Sequence, residues 1–154
     1  LVGQSLGRKD PVGMRNYGFS SVILSILFLI VISIIFYVAP KLLISLYLNV
    51  KDPLLTSIIH LAILFLYVAA ISQIFDGIRN VITGALRGLN DSKYPMYIGI
   101  IVMWAISLPT GSLLAFYFKI GPIGFQIGVA LAVLAGALIL LQRFHKKTLL
   151  GELE

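Results

Sequence analysis

Long apolar runs separated by short polar breaks dominate this chain. Four runs reach the ~20 residues that a helix needs to cross about 30 Å of hydrocarbon: about residues 17–39, 54–88, 94–118 and 122–142. Within each, apolar side chains follow one another continuously instead of alternating over about ten residues, which favours helices over membrane barrel strands. The breaks carry helix punctuation. Lys9-Asp10-Pro11 and Lys51-Asp52-Pro53 each read as an Asp N-cap followed by Pro at the first helical position. Gly121-Pro122 opens the fourth helix, Asn90-Asp91-Ser92 separates the second from the third, and Pro40 and Pro109 are expected to bend or end their helices.

Composition agrees with a bilayer as solvent. Of 154 residues, 59% are hydrophobic and only 12% charged, with a mean hydropathy of +1.02. A soluble domain with so little charge could not cover its surface. The absence of cysteine removes disulfides and thiolate metal sites, and the two histidines, His60 and His145, are too far apart in sequence to suggest a metal cluster. A net charge of +6 would suggest nucleic acid in a soluble protein. In a membrane protein it reads as basic loops on the cytoplasmic side, with no nucleic-acid partner. Arg8, Lys9, Arg15, Arg87, Lys93, Arg143, Lys146 and Lys147 share one side of the bundle, against Lys41, Lys51 and Lys119 on the other. That bias places both ends in the cytoplasm, with the last basic cluster anchored in anionic headgroups.

Small residues indicate close packing. Gly124, Gly128, Ala132 and Gly136 form a ladder on the fourth span, and Gly84-x-x-x-Gly88 closes the second; such ladders let helix backbones approach in lipid. The pattern G-x3-G-x2-D occurs at Gly3–Asp10 and again at Gly84–Asp91. Each copy reads as a glycine helix ending followed by an Asp that caps the next helix. The first copy would then be the tail of a preceding transmembrane helix. The start at Leu1-Val2-Gly3, without Met, reads as a piece of a longer polypeptide, and residues 148–154 as a tail that is partly a cloning remnant.

Only the second span carries ionisable groups in its apolar stretch. Gln73, Asp76, Asn80, Thr83 and Arg87 step by three or four and share one helix face, with Arg79 beside them. Counted from Leu86, Asp76 lies about 15 Å into the membrane, near its midplane. A charge there costs roughly 2.5–3.5 kcal/mol on insertion scales and faces water, a partner or a ligand. Two readings stand side by side: a structural ion pair between Asp76 and Arg79, and a carboxylate in a water-lined cavity. His60, about 24 Å further along the same helix, reads as interfacial. Tyr94 and Tyr97 read as aromatic-belt residues, and Trp104 as either cavity lining or helix packing.

The stretch Val2-Gly-Gln-Ser-Leu-Gly7 with Asp10-Pro11, the run Gln73-Ile-Phe-Asp76-Gly77, and Gly84-Ala-Leu-Arg-Gly88-Leu-Asn-Asp91 resemble motifs of the multidrug and toxic compound extrusion (MATE) family. Tyr94-Pro95-Met96 and the Trp104/Pro109/Gly111 pattern fit the same resemblance, which spans about residues 1–147. It implies an all-α membrane protein: four transmembrane helices plus the end of a preceding one. These would form the carboxy-terminal portion, residues 1–147, of a twelve-helix two-lobe transporter in the bacterial inner membrane. Its partners would be the lipid bilayer, the remaining amino-terminal portion and cationic small molecules, exported in exchange for Na⁺ or H⁺, with no cofactor. By resemblance Asp76 matches the acidic residue of the Na⁺ or H⁺ site in one branch of the family, and Gln73, Asn80 and Arg79 join it as candidates from the polar stretch of the same helix. A tyrosine found one turn earlier in some members is Ser72 here, and the partner carboxylate would lie upstream.

Two other functions compete. A flippase for lipid-linked sugars would show more cationic residues on its cavity, where only Arg79 is a candidate. A non-transporting assembly subunit has no need of a midplane carboxylate. No nucleophile–base pair, metal-ligand spacing or phosphate loop suggests an enzyme.

Overall fold

The computed structural model describes residues 2–8, 10–50 and 53–149, and no strand occurs among the described residues. A short helix α1 (Val2–Gly7) precedes α2 (Pro11–Val38) and the short α3 (Pro40–Ser45). A 3₁₀ turn, Pro53–Leu55, leads into the long α4 (Thr56–Gly88). The third span, Lys93–Tyr117, is composite: α5 (Lys93–Ile101), a π segment (Val102–Ser107), α6 (Leu108–Ser112) and a second π segment (Leu113–Tyr117). α7 (Pro122–Leu149) is the last of the described helices. Among the described residues, four helical stretches are thus long and apolar enough to cross a membrane.

The sequence punctuation explains most boundaries. Asp10 caps α2, its Oδ1 accepting the Gly13 N–H at 2.9 Å, with Pro11 in the first turn. The first span therefore starts near residue 11, not 17. Asp52, the second expected cap, lies outside the described residues, as do residues 150–154 of the expected tail. Pro40 ends α2 and begins α3. Pro109 does not end its helix. Its missing N–H and its ring clash with a normal α-turn, and the preceding turn widens to π spacing, with the Leu108 N–H reaching Met103 O.

The second G-x3-G-x2-D copy differs from expectation. Neither Gly7 nor Gly88 is left-handed; the turn after α4 places Asn90 at φ 58° instead. The two copies meet each other: a Cβ added at Gly3 would lie 3.3 Å from Gly88 O.

α4 is the central helix, flanked by α2 on one side and α7 on the other, and the third span packs against α7. The α2–α4 seam includes a hydrogen bond from Ser33 Oγ to Ala70 O at 2.7 Å and the Tyr37–Tyr67 ring pair, 5.0 Å apart. The small-residue ladder of α7 supplies the seam to the third span. Gly128 sits directly on the backbone of Gly111, Gly124 on that of Leu114 and Ala115, and Ala132 is buried. The densest core lies where α2 begins and α4 and α7 finish: Met14, Val22, Ile82, Leu86, Leu140 and Phe144. On the outer face of α2, Leu24, Phe28 and Val31 are exposed, as lipid-facing side chains are.

Candidate cation-binding site

The polar stripe of α4 condenses into one cluster. Helical spacing puts residues three and four apart on one face, and Asp76 uses both neighbours. Arg79 Nη2 donates to Asp76 Oδ1 at 2.7 Å, and Asn80 Nδ2 donates to Oδ2 at 3.0 Å. Thr83, the next residue along, donates its hydroxyl back to Arg79 O at 2.7 Å and stays with its own helix. The ion pair is only half-buried, with 41% of the Asp76 side chain and 33% of the Arg79 side chain open.

Arg79 is held from behind. Its Cδ lies 3.4 Å from where a Cβ on Gly136 of α7 would sit, and its Nε is buried with no hydrogen-bond partner. A cavity of about 30 Å³ adjoins it, between Thr83, Gly99, Val102 and Gly136. Gln73 stands one turn before Asp76, half-buried, and no hydrogen bond joins the two among the described residues. Ser72 donates to Ala69 O at 3.2 Å, away from the carboxylate. Arg87 and His60 are exposed, apart from the cluster. Among the described residues no three His, Cys, Asp or Glu side chains converge. Larger concavities do not coincide with this chemistry. One of about 680 Å³, lined by Phe36, Tyr47, Phe65, Leu66 and Gln126, is an apolar furrow near the start of α4.

Trp104 is 68% exposed, so packing within this bundle does not explain it. Tyr94 has a partner within the bundle, the Arg143 guanidinium, which stacks over its ring at 4.8 Å. Arg143 is engaged a second time. Its Nε donates to Asp91 Oδ2 at 3.2 Å, and Lys147 Nζ lies 3.3 Å from the same oxygen. Asp91 therefore does not cap α5 but ties the turn after α4 to the last turns of α7. Burial pushes the Asp91 carboxyl up, and hydrogen bonds and charge from Arg143 and Lys147 outweigh that, leaving it below its ordinary value. A carboxyl lowered in the folded state stabilises the fold at neutral pH and loses that contribution as pH falls through its folded value. Asp91→Asn is expected to lower stability by about 1–2 kcal/mol at pH 7. In thermal melts at stepped pH, its gap from the wild type should stay constant above about pH 5 and close below about pH 4. A gap unchanged at pH 3 would contradict this.

Comparison with known proteins places the bundle. The MatE family model matches residues 1–113. The chain belongs to the MATE family. It is 37% identical over 147 residues to multidrug resistance protein NorM of Burkholderia vietnamiensis, covering 96% of this chain and 32% of that protein. It is 34% identical over 145 residues to a probable multidrug resistance protein NorM of Brucella suis biovar 1, covering 94% and 31%. To a probable NorM of Synechococcus it is 31% identical over 147 residues, covering 96% and 32%. The chain thus spans about one third of the length of the curated relatives it matches. In this MATE-family chain Asp76, Arg79 and Asn80 are brought together, while Gln73 remains beside the cluster.

Proposed function

We propose that this chain is the carboxy-terminal portion, residues 1–147, of a twelve-helix, two-lobe antiporter that exports cationic organic compounds in exchange for Na⁺ or H⁺. Asp76 would hold the coupling cation. The observation that carries this reading is a half-open carboxylate on the polar stripe of a span long and apolar enough to cross a membrane. Such a group is costly in lipid and finds its use along an ion or substrate path. Membership of the MATE family and the printed names of the relatives, multidrug resistance proteins, support it. Arg79 and Asn80 hold the carboxylate in place, Gln73 extends the polar face by one turn, and the partner carboxylate of the site belongs to the other part of the transporter.

The full transporter should expel ethidium from cells, and dissipating the membrane ion gradients should abolish that efflux. Efflux indifferent to every ion gradient would refute antiport.

The orientation follows from charge. With eight Lys and Arg at one end of the bundle against three at the other, both ends of this portion face the cytoplasm of a bacterial inner membrane. Tags before Gly3 and after Lys147 should resist external protease in intact cells, and a cleavage site inserted near Asp52 should be cut. The opposite pattern would overturn the orientation.

A further inference from the structure

We infer that Arg79 is a tethered competitor: its guanidinium occupies Asp76 between transport events, and a coupling ion or cationic substrate binds by displacing it. The inference rests on the reading of Asp76 as the cation site and adds what sets that site's affinity.

Three observations support an exchangeable pair over a permanent one. First, both carboxylate oxygens are already engaged from the same helix, by Arg79 Nη2 and Asn80 Nδ2. An incoming cation therefore meets an occupied carboxylate. Second, the guanidinium does not grip the carboxylate at two points: Arg79 Nη2 bonds Oδ1, while Oδ2 accepts from Asn80. Arg79 is left with one hydrogen bond to Asp76, whereas the strong Arg–carboxylate pairs are bidentate. Third, the pair is partly open, and Arg79 is unevenly satisfied, with Nε buried and unpartnered. A permanent buried ion pair gains from having its remaining donors bonded; this one does not have them bonded.

The stem of Arg79 runs against α7: its Cδ lies beside Gly136, with a small cavity next to it toward Val102. When the head group is displaced, its charge stays within a side chain's reach of Asp76. The exchange then replaces one positive charge by another at the same carboxylate. Protonation of Asp76 releases the guanidinium in the same way. Arg79 thus raises the threshold for binding, so that a weakly held cation leaves as readily as it enters.

The test is equilibrium binding of tetraphenylphosphonium to the purified full-length transporter. Arg79→Gln removes the competitor and should tighten binding about tenfold. Arg79→Met, which keeps the apolar stem against Gly136, should do the same and covers the case in which the Gln variant does not fold. Arg79→Lys keeps a cation three residues from Asp76 and should return affinity to within about threefold of the wild type. Unchanged or weaker binding by folded Arg79→Gln or Arg79→Met protein would overturn the inference. So would Arg79→Lys binding as tightly as the neutral variants. Asp76→Asn serves as the separate control and should lose binding. If it bound as the wild type does, the Asp76 reading itself would fall, and the inference with it.

Discussion

Replacing Asp76 by Asn in the full transporter should reduce gradient-driven efflux of a cationic dye tenfold or more, with the protein still inserted at wild-type levels. Asn retains the size of Asp and an oxygen that can accept from Arg79, and Asn80 restores the second hydrogen bond by turning its amide to present its oxygen. The packing is kept and the charge is lost. Coupling between two cations competing for one carboxylate disappears with it, and a loss of about 1.4 kcal/mol of coupling is already tenfold. Arg79→Gln distinguishes this from a structural pair. Removing one partner of a merely structural buried pair strands the other charge and damages folding, whereas the half-open Asp76 should tolerate the change and keep the protein folded. Asp76→Asn protein that inserts normally and transports normally would remove Asp76 from the mechanism.

The second large effect concerns the seam between α7 and the third span. Gly128→Leu should abolish recovery of folded transporter, and Gly128→Ala should destabilise it by about 1–3 kcal/mol. A Cβ at residue 128 would sit 2.5 Å from the Gly111 backbone and 3.0 Å from Ser107 O. The three nearest atoms are all main chain, so no side chain can swing aside to relieve the clash there. The helices must separate, and in lipid their association depends on this close approach. Gly84→Ala is the matched control: a Cβ there meets nothing within 4 Å, and Ala favours helix over Gly by about 1 kcal/mol. Thermal melting followed by size-exclusion chromatography compares the three. A Gly128→Ala midpoint equal to that of Gly84→Ala would show that the seam does not need the glycine.

How far the sequence reveals this molecule depends on the range of the interactions concerned. The four spans are legible because continuous apolar runs are a local signal, and the Asp10 cap because Asp-Pro is one too. The Asp76 cluster is legible for the same reason: residues three and four apart must meet on a helix. Asp91 is different. Its sequence context matches that of Asp10, yet its partners, Arg143 and Lys147, lie 52 and 56 residues away on α7. Helix-cap logic sees only the next turn and therefore assigns it wrongly. The same blindness hides the cation above the Tyr94 ring, which comes from α7. Pro109 announces a disturbance without its form. The sequence around Pro109 does not say whether the chain bends, stops or widens; here the turn before it widens to π spacing, and the turn after it packs on α7, where Gly111 meets Gly128. The contact of Arg79 with Gly136 was likewise hidden, although the signal was present in a small residue on the neighbouring helix at the depth of the charge.

Competition at one carboxylate has a stoichiometric signature. Purified full-length transporter, equilibrated with ²²Na⁺ or held in weak buffer at fixed pH, should release Na⁺ or H⁺ when saturating tetraphenylphosphonium is added. The expected release approaches about one ion per transporter for the wild type and vanishes for Asp76→Asn. Equal ion release from both proteins would contradict the assignment of the cation site to Asp76.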